Sequence, residues 1–270
     1  MNIGFVTLGM GRAPLDEVLG AARAVGCEVM ELNGRATVHQ NLWQQPLDPK
    51  AIKAKIAASG VRPTSLGGYS NFAQATDIAL AEQVDQLVGY CRLAREMCIP
   101  IVRAFAGDVS DGTTLDKLYP RIVQGFAAVT AHVSDWGLKI GIENHGHLVN
   151  DGPTIRSLLD DVGSPILGLT LDTGNFCWAG HSIDAAHDYV DMLAPRVFNV
   201  HVKDGKFVDG VWTLEPAGRG DIDLPGILVL LRSLGYAGPV LSEYEGPADF
   251  QSATIESVAY LRGLRDALER

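Results

Sequence analysis

Eight short β-rich runs alternate with helical stretches from one end of the chain to the other, and few architectures accept that pattern. Strands are expected at 3–7, 29–33, 62–66, 101–105, 138–143, 167–172, 197–203 and 240–245. The clearest helix steps by three and four through Leu80, Val84, Leu87, Val88, Cys91, Ala94 and Cys98, with Glu82, Gln83, Asp85, Arg92 and Arg95 on its other face. Further helices fit 15–25, 49–59, 118–136, 154–162, 183–193, 223–234 and 252–268, with Asp48-Pro49, Asp151 and Asp223 placed as caps. Eight such units in 270 residues predict an α/β fold, the (β/α)8 TIM barrel, as one domain over 1–270. A doubly wound open sheet would need a Gly-rich phosphate loop after its first strand, and "TLGMGRAPL" is a poor one.

In a barrel of this kind reactive groups sit where the strands end. Four consecutive strand ends carry them: Glu143 in "IGIENHG", Asp172 in "GLTLDTGNF", His201 in "VFNVHVKD" and Glu243 in "GPVLSEYEG". Positions 143, 172 and 201 are spaced by 29, about one βα unit, and the longer step to 243 falls in a Gly-rich loop at 205–220. Strand alternation agrees: with these four inward, Ile140, Ile142, Leu167, Leu169, Leu171, Phe198, Val200, Val202 and Val240 face the helices. Three carboxylates and an imidazole then converge at comparable heights. Carboxylates cannot share a dry cavity unless a cation or protons neutralise them. One divalent cation is the economical solution, Mn²⁺ first for this oxygen-rich donor set, then Mg²⁺, Co²⁺ or Zn²⁺. A single strand-end carboxylate is more often a cap or loop anchor, and a lone His more often a hydrogen-bonding residue. The weight lies in four residues sharing one phase.

Charge and hydropathy remove other classes. A net charge of −10 without a basic run excludes phosphate-backbone binding, so no nucleic-acid partner is expected. No apolar run reaches membrane-spanning length, and the start lacks a signal-peptide pattern, so a cytoplasmic protein without a membrane partner is expected. The scattered Cys27, Cys91, Cys98 and Cys177 suit reduced thiols.

The motifs "ENHG", "LDTGNF", "VHVKD" and "LSEYEG", in that order, with "EVMELN" and "IVRAFAG" before them, resemble the xylose isomerase-like TIM barrels. That superfamily includes ketose 3-epimerases, hydroxypyruvate isomerase, inosose isomerases and dehydratases, and endonucleases acting at apurinic sites. The resemblance implies that Glu143, Asp172, His201 and Glu243 bind one divalent cation and that Glu143 and Glu243 exchange a substrate proton on opposite faces. It also allows a homo-oligomer. The epimerase branch has a substrate-binding His three residues after the strand-six Asp; this chain has Asn175 there, with His145 placed to share the role.

The chemistry that fits is proton abstraction beside a carbonyl that the cation polarises, through an enediolate, in a metal-dependent isomerase or epimerase. The expected substrate is a small carbohydrate-like molecule: an unphosphorylated sugar, keto-polyol or hydroxy-keto acid. Lys203 is placed to stabilise an oxyanion or to pair with Glu245 or Asp204, and Arg103 to pair with Glu31. His39, Trp43, Tyr69, Phe72, Trp178 and Trp212 are candidates for the pocket wall, although for any one aromatic among them ordinary loop packing is the better reading, and for His39 a surface loop position. "GRGDID" at 218–223 reads as an anion cradle or, better, as a cap built on Asp223. The alternative is a dehydratase of a cyclic polyol or of dehydroshikimate on the same scaffold. An apurinic-site endonuclease fits an acidic chain poorly, and the intact donor set argues against a non-catalytic subunit.

Overall fold

Eight parallel strands close on themselves in the order β1-β10-β7-β6-β5-β4-β3-β2. The computed structural model describes residues 1–10, 13–34, 48–108 and 113–269. The strands are β1 (Asn2–Val6), β2 (Val29–Asn33), β3 (Arg62–Gly67), β4 (Ile101–Phe105), β5 (Lys139–Glu143), β6 (Leu167–Asp172), β7 (Val197–Val202) and β10 (Pro239–Ser242). The helices outside them are α1 (Leu15–Ala24), α2 (Pro49–Ser59), α3 (Asp77–Met97), α4 (Leu115–His132), α5 (Gly152–Val162), α7 (Ile183–Leu193), α8 (Leu224–Ser233) and α9 (Phe250–Leu268). This is the (β/α)8 barrel that the alternation predicts. No helix among the described residues is long and apolar enough to cross a membrane.

The residues predicted to face the helices do so except Phe198, which is half-buried outside the core with Lys139 Nζ 4.5 Å from its ring. Ile140, Ile142, Leu167, Leu169, Leu171, Val200, Val202 and Val240 belong to the main apolar cluster between strands and helices. Inside the barrel, Val6, Val29 and Leu241 form a small separate cluster. Above it the inward positions turn polar.

Helix starts follow local hydrogen bonding. Asp48 caps α2, with Pro49 in the first turn. Asp151 accepts from Thr154 N and Asp223 from Gly226 N. The helix expected at 118–136 instead spans Leu115–His132, so Pro120 lies inside it, in the second turn, where it offers no N–H to the carbonyl of Asp116.

Two elements depart from the sequence reading. The segment read as a Gly-rich loop at 205–220 holds an antiparallel hairpin, β8 (Asp204–Val208) and β9 (Val211–Glu215). Its turn is Asp209-Gly210, with φ of 51° and 80°, the two left-handed central residues that a tight hairpin turn requires. The glycines on either side masked that signal. A single-turn helix, α6 (Asn175–Trp178), also follows β6 directly.

Candidate metal centre and substrate cavity

β5, β6 and β7 each deliver one side chain to the mouth of the barrel, and the residue after β10 delivers the fourth. Their heights follow the stagger of a tilted, closed barrel, not a common hydrogen-bonding row. Glu143 pairs with Thr170, two residues short of Asp172. Asp172 pairs with His201. His201 pairs with Leu241, two residues short of Glu243. The climb along the strands offsets their tilt, and the four side chains meet.

They meet closely. One donor atom from each of Glu143, Asp172, His201 and Glu243 lies within 4.8 Å of the others, and all four residues are buried. His201 Nδ1 is 3.1 Å from Glu243 Oε2 and 3.8 Å from Glu143 Oε2. Lys203 Nζ is 3.2 Å from both Asp172 Oδ2 and Glu243 Oε2. Arg103 Nε is 3.1 Å from Glu143 Oε2.

Other atoms of three of these side chains are held from behind. Asp172 Oδ1 accepts from Gly174 N and Asn175 N, each at 2.9 Å. Glu143 Oε1 accepts from Asn175 Nδ2 at 3.0 Å. His201 Nε2 lies 2.9 Å from Glu31 Oε2. The forward atoms, Glu143 Oε2, Asp172 Oδ2, His201 Nδ1 and Glu243 Oε2, are buried without a hydrogen bond of good geometry. Buried polar atoms almost always have a hydrogen-bond partner, so four converging donor atoms held only by charge contacts with Lys203, Arg103 and one another suit a cation.

Charge agrees. Four buried carboxylates, Glu31, Glu143, Asp172 and Glu243, face two buried permanent cations, Arg103 and Lys203. With a neutral imidazole, two negative charges remain, which a divalent ion balances. Without such an ion, burial pushes Glu143 up to about 8, against the pull of Arg103 and with a further push from Glu243. Burial likewise lifts Asp172 to about 6 despite Lys203. Burial acts upward on Glu243 too, but Lys203 and His201 outweigh it and hold the group well below the carboxylate range.

The local sequence explains the loops. Asn144 stitches β5 to β6: its Oδ1 accepts from Asp172 N at 2.8 Å and its Nδ2 donates to Asp172 O at 2.9 Å. Thr173 Oγ1 donates to Lys203 O at 2.6 Å and accepts from Lys203 N at 3.1 Å. Gly174 follows because any Cβ there would stand 2.7 Å from Lys203 Cβ.

Beside the cluster opens a cavity of about 330 Å³ lined by His145, Gly174, Asn175, Trp178, Lys203, Leu214 and Glu245. Asn175 Oδ1 accepts from Lys203 Nζ at 3.3 Å, so this one amide bridges Glu143 and Lys203. His145 is stacked between Phe105, at 4.3 Å, and Trp178, at 5.8 Å, and Trp178 continues onto His147 at 4.8 Å. Burial, then the fields of Lys203 and Arg103, depress His145 to about 4, so it is neutral at pH 7. His145, Asn175, Lys203 and Trp178 thus share one wall; His39 and Trp43 lie outside the described residues.

The structure decides between several of the alternatives. Phe72 is fully buried against Phe126 in the core and lines no cavity. Trp212 rests on Phe207 in the hairpin. Tyr69 accepts from Asn33 Nδ2 and packs on Phe105 and Arg103. The Asp204 alternative for Lys203 fails, because that carboxylate accepts from the N–H groups of Gly205, Gly218, Gly220 and Ile222. The backbone amides read as an anion cradle therefore hold an internal anion. Lys203 does pair with Glu245, at 2.7 Å, and Arg103 with Glu31, at 3.4 Å. The roles of Asn144 and Thr173 escaped the sequence reading because their partners are backbone groups one strand away, and that of Asp204 because three of its partners lie 14 to 18 residues further along the chain.

Comparison with known proteins agrees with this fold. A family model described as xylose isomerase-like TIM barrel matches residues 19–264. An inosose isomerase of Halalkalibacterium halodurans is 23% identical over 240 residues, covering 86% of this chain and 83% of the relative. The crystal structure of a D-tagatose 3-epimerase-like protein superposes with a TM-score of 0.82 at 17% identity, over 100% of this chain and 98% of the other. The zinc-bound IOLI protein superposes at 0.79 with 18% identity, over 99% and 97%. The chain belongs to the xylose isomerase-like TIM barrel family.

Proposed function

We propose that this chain is a divalent-metal-dependent isomerase or epimerase of a small carbohydrate-like ketone, with Glu143 and Glu243 carrying the proton. The observation that bears most weight is the set of four buried donor atoms without a hydrogen bond, one each from Glu143, Asp172, His201 and Glu243, converging on one point. The inosose isomerase relative and the epimerase-like fold neighbour lend support on the side of reaction class. A divalent cation held by these four residues, Mn²⁺ before Mg²⁺, Co²⁺ or Zn²⁺, would supply Lewis-acid polarisation of a substrate carbonyl.

The protein's own groups do the rest. One glutamate takes the proton from the carbon beside the carbonyl. The other, already protonated, delivers a proton of its own, either to the opposite face of that carbon or to its neighbour, and solvent then resets both groups. Asn175 holds Glu143 from behind, so the carboxylate keeps its reach. Lys203, within 3.2 Å of Asp172 and Glu243, is placed to stabilise the oxygen that gains negative charge. Neutral His145 offers a hydrogen bond without competing for the proton. Trp178 and the stacked rings beside it give the C–H faces of a polyol an apolar wall and keep water out.

Incubation with ketoses and cyclitol ketones in D₂O tests this. Deuterium should enter the carbon beside the carbonyl with inverted stereochemistry in an epimerisation, or the former carbonyl carbon with the carbonyl moved to its neighbour in an isomerisation. Glu143→Gln and Glu243→Gln should each slow exchange by about 10²–10⁴-fold with an unaltered circular dichroism spectrum. Wild-type exchange rates in both variants would remove the roles assigned to the glutamates. A product lighter by one water would turn the reading to the dehydratase.

A further inference from the structure

Glu31 stands on β2, opposite the four converging strand ends, yet it touches the centre from two sides. Its Oε2 lies 2.9 Å from His201 Nε2 and accepts from Ser65 Oγ at 2.7 Å and Asn199 Nδ2 at 3.1 Å. Its Oε1 lies 3.4 Å from Arg103 Nε, which in turn stands 3.1 Å from Glu143 Oε2. Arg103 is itself immobilised: Nη1 donates to Gly68 O at 3.1 Å, and its guanidinium lies over Phe105 at 4.3 Å. Gly67 leaves the space for this pair, since a Cβ there would stand 2.8 Å from Arg103 Nη2 and 3.1 Å from Glu31 Oε1.

A neutral imidazole carries one proton, and the partner of one nitrogen decides which nitrogen is free. Without an ion both nitrogens face a carboxylate, Nε2 that of Glu31 and Nδ1 that of Glu243 at 3.1 Å, with Asn199 Nδ2 also 3.2 Å from Nε2. An ion among the strand ends takes the place of the Nδ1 proton, and the Glu31 carboxylate keeps the other proton on Nε2. We propose that Glu31 is the positioning residue of the centre: when the ion binds, it holds His201 as the Nε2–H form with Nδ1 facing the cluster, and it shares Arg103 with Glu143 so that both donors keep one orientation. This rests on the metal-dependent reading above. Carboxylate partners of this kind, when removed from ligating histidines, typically cost 10–100-fold in metal affinity.

The test uses the full-length protein labelled with ¹⁵N at histidine. Its imidazole nitrogens are followed by long-range ¹H–¹⁵N correlation during Zn²⁺ titration, and Mn²⁺ affinity is measured by calorimetry. In the wild type, His201 Nε2 stays protonated and exchanges slowly, while Nδ1 shifts as zinc is added. In Glu31→Gln, whose amide can donate to Nε2 as well as accept from it, both tautomers appear before zinc is added and Mn²⁺ binds about 10–100-fold more weakly. Ser65→Ala, which removes only the hydroxyl that orients Glu31, shifts both readouts the same way by less, and serves if Glu31→Gln fails to fold. Wild-type Mn²⁺ affinity together with an unchanged His201 signature in Glu31→Gln overturns the assignment and leaves the metal centre standing. A wild-type chain that takes up neither ion overturns the metal centre first, and the role of Glu31 with it.

Discussion

Glu143 occupies one of the driest positions in the barrel, and its protonation links the metal to stability. Burial raises it from an ordinary value near 4.5 to about 8. The metal-free folded chain therefore keeps a proton that the unfolded chain has already released. That contribution is complete below pH 4.5 and is lost as pH rises through about 8. His201 acts in the same direction above pH 6.5, because Glu31 and Glu243, overcoming the opposing effect of burial, raise it well above the usual histidine value. His145, depressed to about 4, acts the opposite way but only below pH 6.5. The Tm of metal-free protein should thus fall between pH 6.5 and 8. Saturating Mn²⁺ should abolish the fall, and Glu143→Gln should flatten it. Parallel slopes with and without Mn²⁺ would show that these groups bind no ion. At this scale much was legible, since strand-end position and alternation single out Glu143, Asp172, His201 and Glu243. Glu31 was visible only as the partner of Arg103, because its contact with His201 joins positions 170 residues apart.

Among the elements, the hairpin β8–β9 is where sequence and structure part. Alternation through "DGKFVDGVWTLE" and the Asp-Gly turn were present, but glycines flanking the segment read as loop. What anchors the hairpin is Asp204, whose carboxylate accepts from four backbone N–H groups, a pattern that no local periodicity announces. An amide in its place offers one acceptor oxygen and turns an NH₂ toward donors. Asp204→Asn should cost about 2 kcal/mol in urea denaturation. Because β9 supplies Leu214 to the cavity wall, the variant should also raise KM more than it lowers kcat. An unchanged denaturation midpoint would show that the hairpin holds without this anchor. The short helix α6 was hidden for a different reason: at four residues it has no period to read, yet it carries Asn175 and Trp178 into the cavity.

Across the whole molecule, closure of the sheet is what makes the centre. β1 joins β10 in parallel, so residues from the two ends of the chain become neighbours, and the tilt of the closed barrel brings staggered strand ends to one point. The count of βα units made the barrel legible, whereas the stagger between strands was not, because hydrogen-bond register is a property of pairs. An ion bound at the mouth ties β5, β6, β7 and the end of β10 together, so it should stabilise the barrel by mass action. At an ion concentration 100 times Kd the gain is about 2.7 kcal/mol, read as a rise in Tm that a chelator reverses. A chelator that leaves Tm unmoved would contradict it. The most direct measurement is an anomalous difference map, collected at the manganese edge from crystals grown with excess Mn²⁺. One strong peak is predicted within bonding reach of Glu143 Oε2, Asp172 Oδ2, His201 Nδ1 and Glu243 Oε2. No peak there, with Lys203 Nζ still lying between Asp172 and Glu243, would contradict the metal centre and the chemistry built on it.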